Sequence, residues 1–198
     1  MNTAKRSYVS VLLGVISLVL ASQITAFSQQ SEQTNSTTVS IKNFGQMDDR
    51  FFRGGQPKEN DYQQLAALGI KTIIDLRDDP TSYEKQNVEA LGMKYVNISM
   101  SDKDYPPSEK IAEFLKLVDD PTTGKFYVHC AGGRHRTGVI GAVYRFNHYN
   151  WNYDQAYAEM KKYDFYTRWG HGEMKKFVQA YATSFQSKAV VAAESTQK

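Results

Sequence analysis

"KFYVHCAGGRHRTGVIGAV", Lys125 to Val143, passes from an apolar, β-branched and aromatic run through a glycine-bearing turn into residues spaced for a helix. The first part reads as a short buried strand. Val139, Ile140, Val143 and Tyr144 then fall on one helical stripe, with the helix opening near Thr137. The turn between them holds Cys130, the single cysteine of the chain. With no second cysteine to pair with, its thiol is either inert or reactive.

Working outward, the alternation of helix and strand repeats. "KENDYQQLAALG" (58–69) has Asn60 or Asp61 as a cap, Tyr62, Leu65 and Ala66 at helical spacing, and Gly69 as a stop. "IKTIIDLR" (70–77) follows as a buried strand, "SYEKQNVEALG" (82–92) as a helix and "MKYVNISM" (93–100) as a strand. "PPSEKIAEFLKLVDD" (106–120) places Ile111, Phe114, Leu115 and Val118 on one face. Downstream of the turn come a helix carrying Ala156, Met160 and Tyr163 and a last one carrying Met174, Phe177, Val178, Tyr181 and Phe185. Strands alternating with helices predict an α/β fold, a central, mostly parallel sheet flanked by helices. Ligands of such sheets bind beyond the carboxyl ends of the strands, where Cys130 falls.

The 198 residues suit one domain with flexible ends, and 41% apolar with 23% charged residues is a globular composition. Lys5 and Arg6, an apolar run from Val9 to Leu20 and then small residues have the layout of a secretory signal peptide over 1–26. Cleavage is expected near 21–26, after Ala21 or Ala26, which makes the protein exported, periplasmic or secreted. The apolar run is shorter than the roughly 18 residues of a membrane span. Residues 27–38 read as a flexible linker, 39–186 as the folded domain and 187–198 as a flexible tail. Losing Lys5 and Arg6 lowers the formal charge from +3 to +1. A nearly neutral domain excludes a nucleic-acid binder driven by bulk charge. Any anion site is local, and a monomer is expected.

The turn has the parts of such a site. Successive backbone N–H groups before a helix N-terminus attract an anion, and Gly132 and Gly133 let the backbone approach it closely. The same field, with Arg136 beside it, lowers a cysteine pKa toward the thiolate. A thiolate at Cys130 can attack phosphorus while the ring of donors holds the other oxygens. Arg136 closes that ring with a planar fork suited to phosphate.

His129, Cys130, five intervening residues, Arg136 and Thr137 resemble the His-Cys-x5-Arg-Ser/Thr signature of cysteine-based protein tyrosine phosphatases, in particular the small dual-specificity type. "FFRGGQP" (51–57), "LGIKTIIDLR" and "YRFNHYNW" are similar to bacterial dual-specificity phosphatase-like proteins. The resemblance implies a phosphatase without cofactor or metal, hydrolysing phosphomonoesters through a phosphocysteine. Cys130 is then the nucleophile, Ala131, Gly132, Gly133, Arg134, His135 and Thr137 line the phosphate site, and Thr137 also steadies the departing thiolate. His129 orients the loop. A general acid is needed for the leaving oxygen. Asp102 in "ISMSD" matches the strand-to-loop position from which the family draws it, and Asp104 is the alternative.

Phosphotyrosine and phosphoserine/threonine proteins are the main substrate class expected. Inositol phosphates or phosphoinositides stand close behind, because "GRHR" (133–136) resembles the basic "GKHR" loop of atypical phosphatases that cleave inositol pyrophosphates. A rhodanese-type sulfurtransferase would also use a thiolate loop, but does not normally carry the Arg-Thr pair. Elsewhere, Asp75 and Arg77 read as a structural ion pair and Arg53 as an ion-pairing residue beside a turn. His148 and His171 lack metal-ligand spacing. Arg168 and Trp169 stay open between helix packing and substrate contact.

Overall fold

The computed structural model describes residues 39–196, with side chains through residue 188. The leader expected over 1–26 and the linker over 27–38 lie outside the described residues. Five strands form one sheet: β1 (Gly45–Gln46), β2 (Phe51–Gly54), β3 (Ile70–Asp75), β4 (Lys94–Asn97) and β5 (Lys125–His129). Their order is β1-β2-β5-β3-β4, with only the β1–β2 pair antiparallel. The helices are α1 (Asp61–Ala67), α2 (Glu84–Ala90), α3 (Ser108–Asp119), α4 (Arg136–Tyr149), α5 (Tyr153–Lys162) and α6 (Gly172–Thr196).

Successive strand residues point to opposite faces, so a sheet covered on both sides needs unbroken apolar strands. Phe51, Ile74, Phe126 and Val128 turn to one face and pack with Ile111 and Phe114 of α3, Val139 and Val143 of α4, Met160 of α5 and Val178 of α6. Phe52, Ile73 and Tyr127 turn to the other, against Tyr62 and Leu65 of α1 and Val88 of α2. The central helix α4 is buried from Arg136 through Phe146, which is why its amphipathic contrast is weak. No helix among the described residues is long and apolar enough to cross a membrane.

One local expectation is corrected. "FFRG" is a strand beside β5, not part of a turn, because both Phe51 and Phe52 have a covered face to enter. Asn60 stands at the N-cap of α1 as expected but makes no side-chain capping bond, and the Asp61 carboxylate accepts from Lys58 N–H at 2.8 Å. Helix α6 runs on to Thr196, since "SKAVVAAEST" contains no glycine or proline to stop it.

Candidate active site

Cys130 follows β5 directly, and Arg136 is the first residue of α4, so both ends of the loop are carried by buried elements. Three consecutive loop carbonyls are tied to donors outside it. Ala131 C=O accepts from Gln56 N–H at 3.2 Å, Gly132 C=O from Asn43 Nδ2 at 2.8 Å and Gly133 C=O from Arg53 Nη2 at 2.7 Å. Anchoring the carbonyls away from the loop leaves its N–H groups to face inward, and those of Gly132 and Thr137 are directed at the sulfur. Burial raises the Cys130 pKa, but the Thr137 hydroxyl and N–H, the Arg136 charge and the Gly132 N–H outweigh it, and the thiol is held below its ordinary value. The arrangement is a buried sulfur approached by donors from the loop and from the start of α4.

Arg136 is 5% exposed. Its Nη1 donates to Asp78 Oδ1 at 2.6 Å and to Met100 C=O at 3.0 Å, while its Nε is buried and unpartnered. Asp78 and Met100 thus grip one nitrogen and leave the Nε–Nη2 edge, the edge that binds an oxyanion in bidentate fashion. Asp78 went unnoticed in the sequence because its role depends on the loop after β3 meeting α4.

Among the described residues no carboxylate pairs with Arg53. It is 1% exposed, its guanidinium carbon lies 4.0 Å from the Tyr163 ring centroid, and burial lowers its pKa to about 10. The expected ion-pairing role is therefore replaced by a buried brace beneath Gly133. Gly133 itself has φ +67°, and a Cβ there would meet Gly54 O at 2.6 Å. Gly133→Ala is accordingly expected to destabilise the fold by about 1–3 kcal/mol through strain and overpacking. Thermal unfolding checks this against Gly172→Ala, where a Cβ meets nothing within 4 Å.

His129 is fully buried between two carboxylates. Nε2 lies 2.9 Å from Glu84 Oε1, at an angle that misses hydrogen-bond alignment, and Nδ1 lies 3.8 Å from Asp75 Oδ1. Burial works to discharge the ring, but Glu84 and then Asp75 outweigh it and raise its pKa. These three are the one group among the described residues with ligand atoms close enough for a metal. The carboxylates meet opposite nitrogens and hold the ring from two sides. The expected Asp75–Arg77 ion pair is corrected: Arg77 pairs with Asp79 at 2.9 Å, and Asp75 accepts the Arg77 N–H and the Tyr95 hydroxyl.

Asp102 stands half-buried in the loop after β4, held by a bond from His171 Nδ1 to its main-chain oxygen at 2.7 Å. Asp104 is exposed, with only its N–H bonded, to Ser101 Oγ at 3.2 Å. His135 stacks on His171 with centroids 3.5 Å apart. Arg134 folds back over Gly132, with Nε buried and unpartnered, and its guanidinium lies 5.4 Å from the Tyr166 ring centroid. No carboxylate pairs with Arg134 among the described residues. Trp169 is 76% exposed, and Arg168 lies over Tyr166 at 5.6 Å.

A five-stranded sheet presenting a cysteine, a ring of N–H groups and an arginine at the start of a buried helix defines a phosphatase of the cysteine type. Residues 38–198 match the tyrosine phosphatase family, and the chain belongs to it. It is 31% identical over 127 residues to the probable tyrosine-protein phosphatase DG1060 of Dictyostelium discoideum, covering 61% of this chain and 75% of that one. It is 26% identical over 140 residues to the inositol diphosphatase SIW14 of Saccharomyces cerevisiae, covering 66% of this chain and 48% of that one. The chain thus spans about half the length of that relative. Among solved structures, the Siw14 catalytic core superposes with a TM-score of 0.62 at 22% identity, over 77% of this chain and 93% of that one. TpbA of P. aeruginosa gives 0.61 at 20% identity, over 71% of this chain and 85% of that one.

Proposed function

We propose that this phosphatase acts through a phosphocysteine and takes a polyphosphorylated small molecule of the inositol phosphate class. The Cys130 thiolate attacks phosphorus while the loop N–H groups and the Nε–Nη2 edge of Arg136 hold the non-bridging oxygens. Asp102 gives its proton to the leaving oxygen. Its carboxylate then takes a proton from the water that attacks the phosphocysteine, and the S–P bond breaks to return the thiolate, steadied by Thr137. Export belongs to the same proposal and rests on the leader sequence alone.

The observation that carries the substrate class is Arg134, a cation folded over the loop with no carboxylate partner among the described residues. One phosphate occupies the ring with Arg136, which leaves Arg134 for a second. The relationship to inositol diphosphatases supports the same reading. We prefer it to the phosphoprotein class expected from the sequence because Arg134 has no carboxylate partner among the described residues.

Arg134→Ala is expected to lower kcat/KM for an inositol pyrophosphate by about tenfold or more, the worth of one charge-assisted contact. For a phosphotyrosine peptide the loss is expected to be small. Raising salt should shrink the difference, because partly exposed charges are screened. Equal losses on both substrates would leave Arg134 as a support of the loop and favour a phosphoprotein substrate.

A further inference from the structure

The connection between α5 and α6 contains a reversal that no helix or strand requires. Trp169 has φ +62° and Gly170 φ +92°, two consecutive left-handed residues immediately before His171. Glycine takes that conformation freely, whereas tryptophan does so at a cost, and such strain persists only where the surroundings impose it. Its consequence is to turn His171 inward, leaving it 7% exposed while Trp169 beside it stays in solvent.

Three contacts receive the connection. His171 lies flat on His135 of the catalytic loop, with rings 13° from parallel. Its Nδ1 reaches the main-chain oxygen of Asp102 at 2.7 Å. Gly170 packs beside the stem of Lys103, where a Cβ would stand 3.5 Å from Cδ. The Asp102 acceptor is a carbonyl, so Nδ1 must carry the proton, and the bond holds in the Nδ1–H tautomer as well as in the imidazolium. Burial and the neighbouring His171 and Arg134 push the His135 pKa down to about 4, so the stack does not bring two charged rings together.

We infer that His171 is a positioning residue for the general acid, clamping the backbone of Asp102 onto the loop that carries Cys130 through its stack on His135. The other ties of the loop, Lys103 and Asp104 N–H to Ser101 Oγ and the Tyr105 ring against Phe177, hold its neighbours and not Asp102 itself. A general acid contributes only when its proton lies within reach of the leaving oxygen, so an unanchored Asp102 would lose proton transfer while the nucleophile and phosphate ring stay intact. Nothing in the spacing of His171 suggests this role; it arises from the backbone reversal.

This inference rests on Asp102 as the acid, and the test separates the two. His171→Phe keeps a flat ring on His135 without the donor, and His171→Asn restores an N–H near the Nδ1 position. With phenyl phosphate, a poor leaving group, His171→Phe is expected to lose about tenfold or more in kcat, a share of the full value of general acid catalysis. With p-nitrophenyl phosphate, which needs little protonation, it should lose far less, and His171→Asn should recover much of the phenyl phosphate rate. In an Asp102→Asn background, His171→Phe should add little. A uniform loss on both esters, no loss, full additivity with Asp102→Asn, or an Asn variant as impaired as Phe would overturn the positioning role while leaving Asp102 in place. An unimpaired Asp102→Asn variant would remove the acid assignment and the inference with it.

Discussion

Cys130→Ser is expected to reduce hydrolysis of p-nitrophenyl phosphate by about ten-thousand-fold or more, the scale seen when a covalent nucleophile is removed. A serine hydroxyl in the same cradle stays protonated, since the field that pulls a thiol down from near 9 is far too weak to ionise an alcohol. Vanadate should inhibit the wild type by occupying the ring, and EDTA should leave its rate unchanged. The pH profile carries the same information. Because the Cys130 pKa is lowered, the acid limb of kcat/KM should lie below the ordinary thiol range, rising as pH climbs through it and the thiolate forms. Activity that survives in Cys130→Ser, or that needs added metal, would refute the phosphocysteine mechanism.

Asp102→Ala is expected to lower turnover of phenyl phosphate by roughly 100-fold to 10,000-fold, the usual worth of general acid–base catalysis. Asp104→Ala should cost far less. Asp102 is anchored through its own main chain and is half-buried, whereas Asp104 is exposed. Reversed losses in the two variants would transfer the role to Asp104.

Much of this was legible along the chain. The strands β3, β4 and β5 and all six helices follow from apolar spacing and glycine stops, because those signals are local: a buried parallel strand must be apolar on both faces and a helix at its packed stripe. β2 escaped notice because Arg53 and the glycines after it look like a turn, and only the burial of Phe51 and Phe52 on opposite faces of the sheet makes a strand of them. Arg53 likewise looked like half of an ion pair, and instead braces Gly133 from across the sheet.

By itself the sequence determined the loop from Cys130 to Arg136, since these residues and the intervening glycines lie within one strand–turn–helix, where neighbours in the chain are neighbours in space. Only the tertiary structure decided what surrounds that loop. Asp78 on Arg136, Glu84 and Asp75 around His129, and His171 on Asp102 are contacts between residues 45 to 69 positions apart, with 58 for the Arg136–Asp78 pair. A short polar side chain carries no periodic signal of its partner at such distances, so these roles exist only once the sheet order and helix packing have brought the elements together.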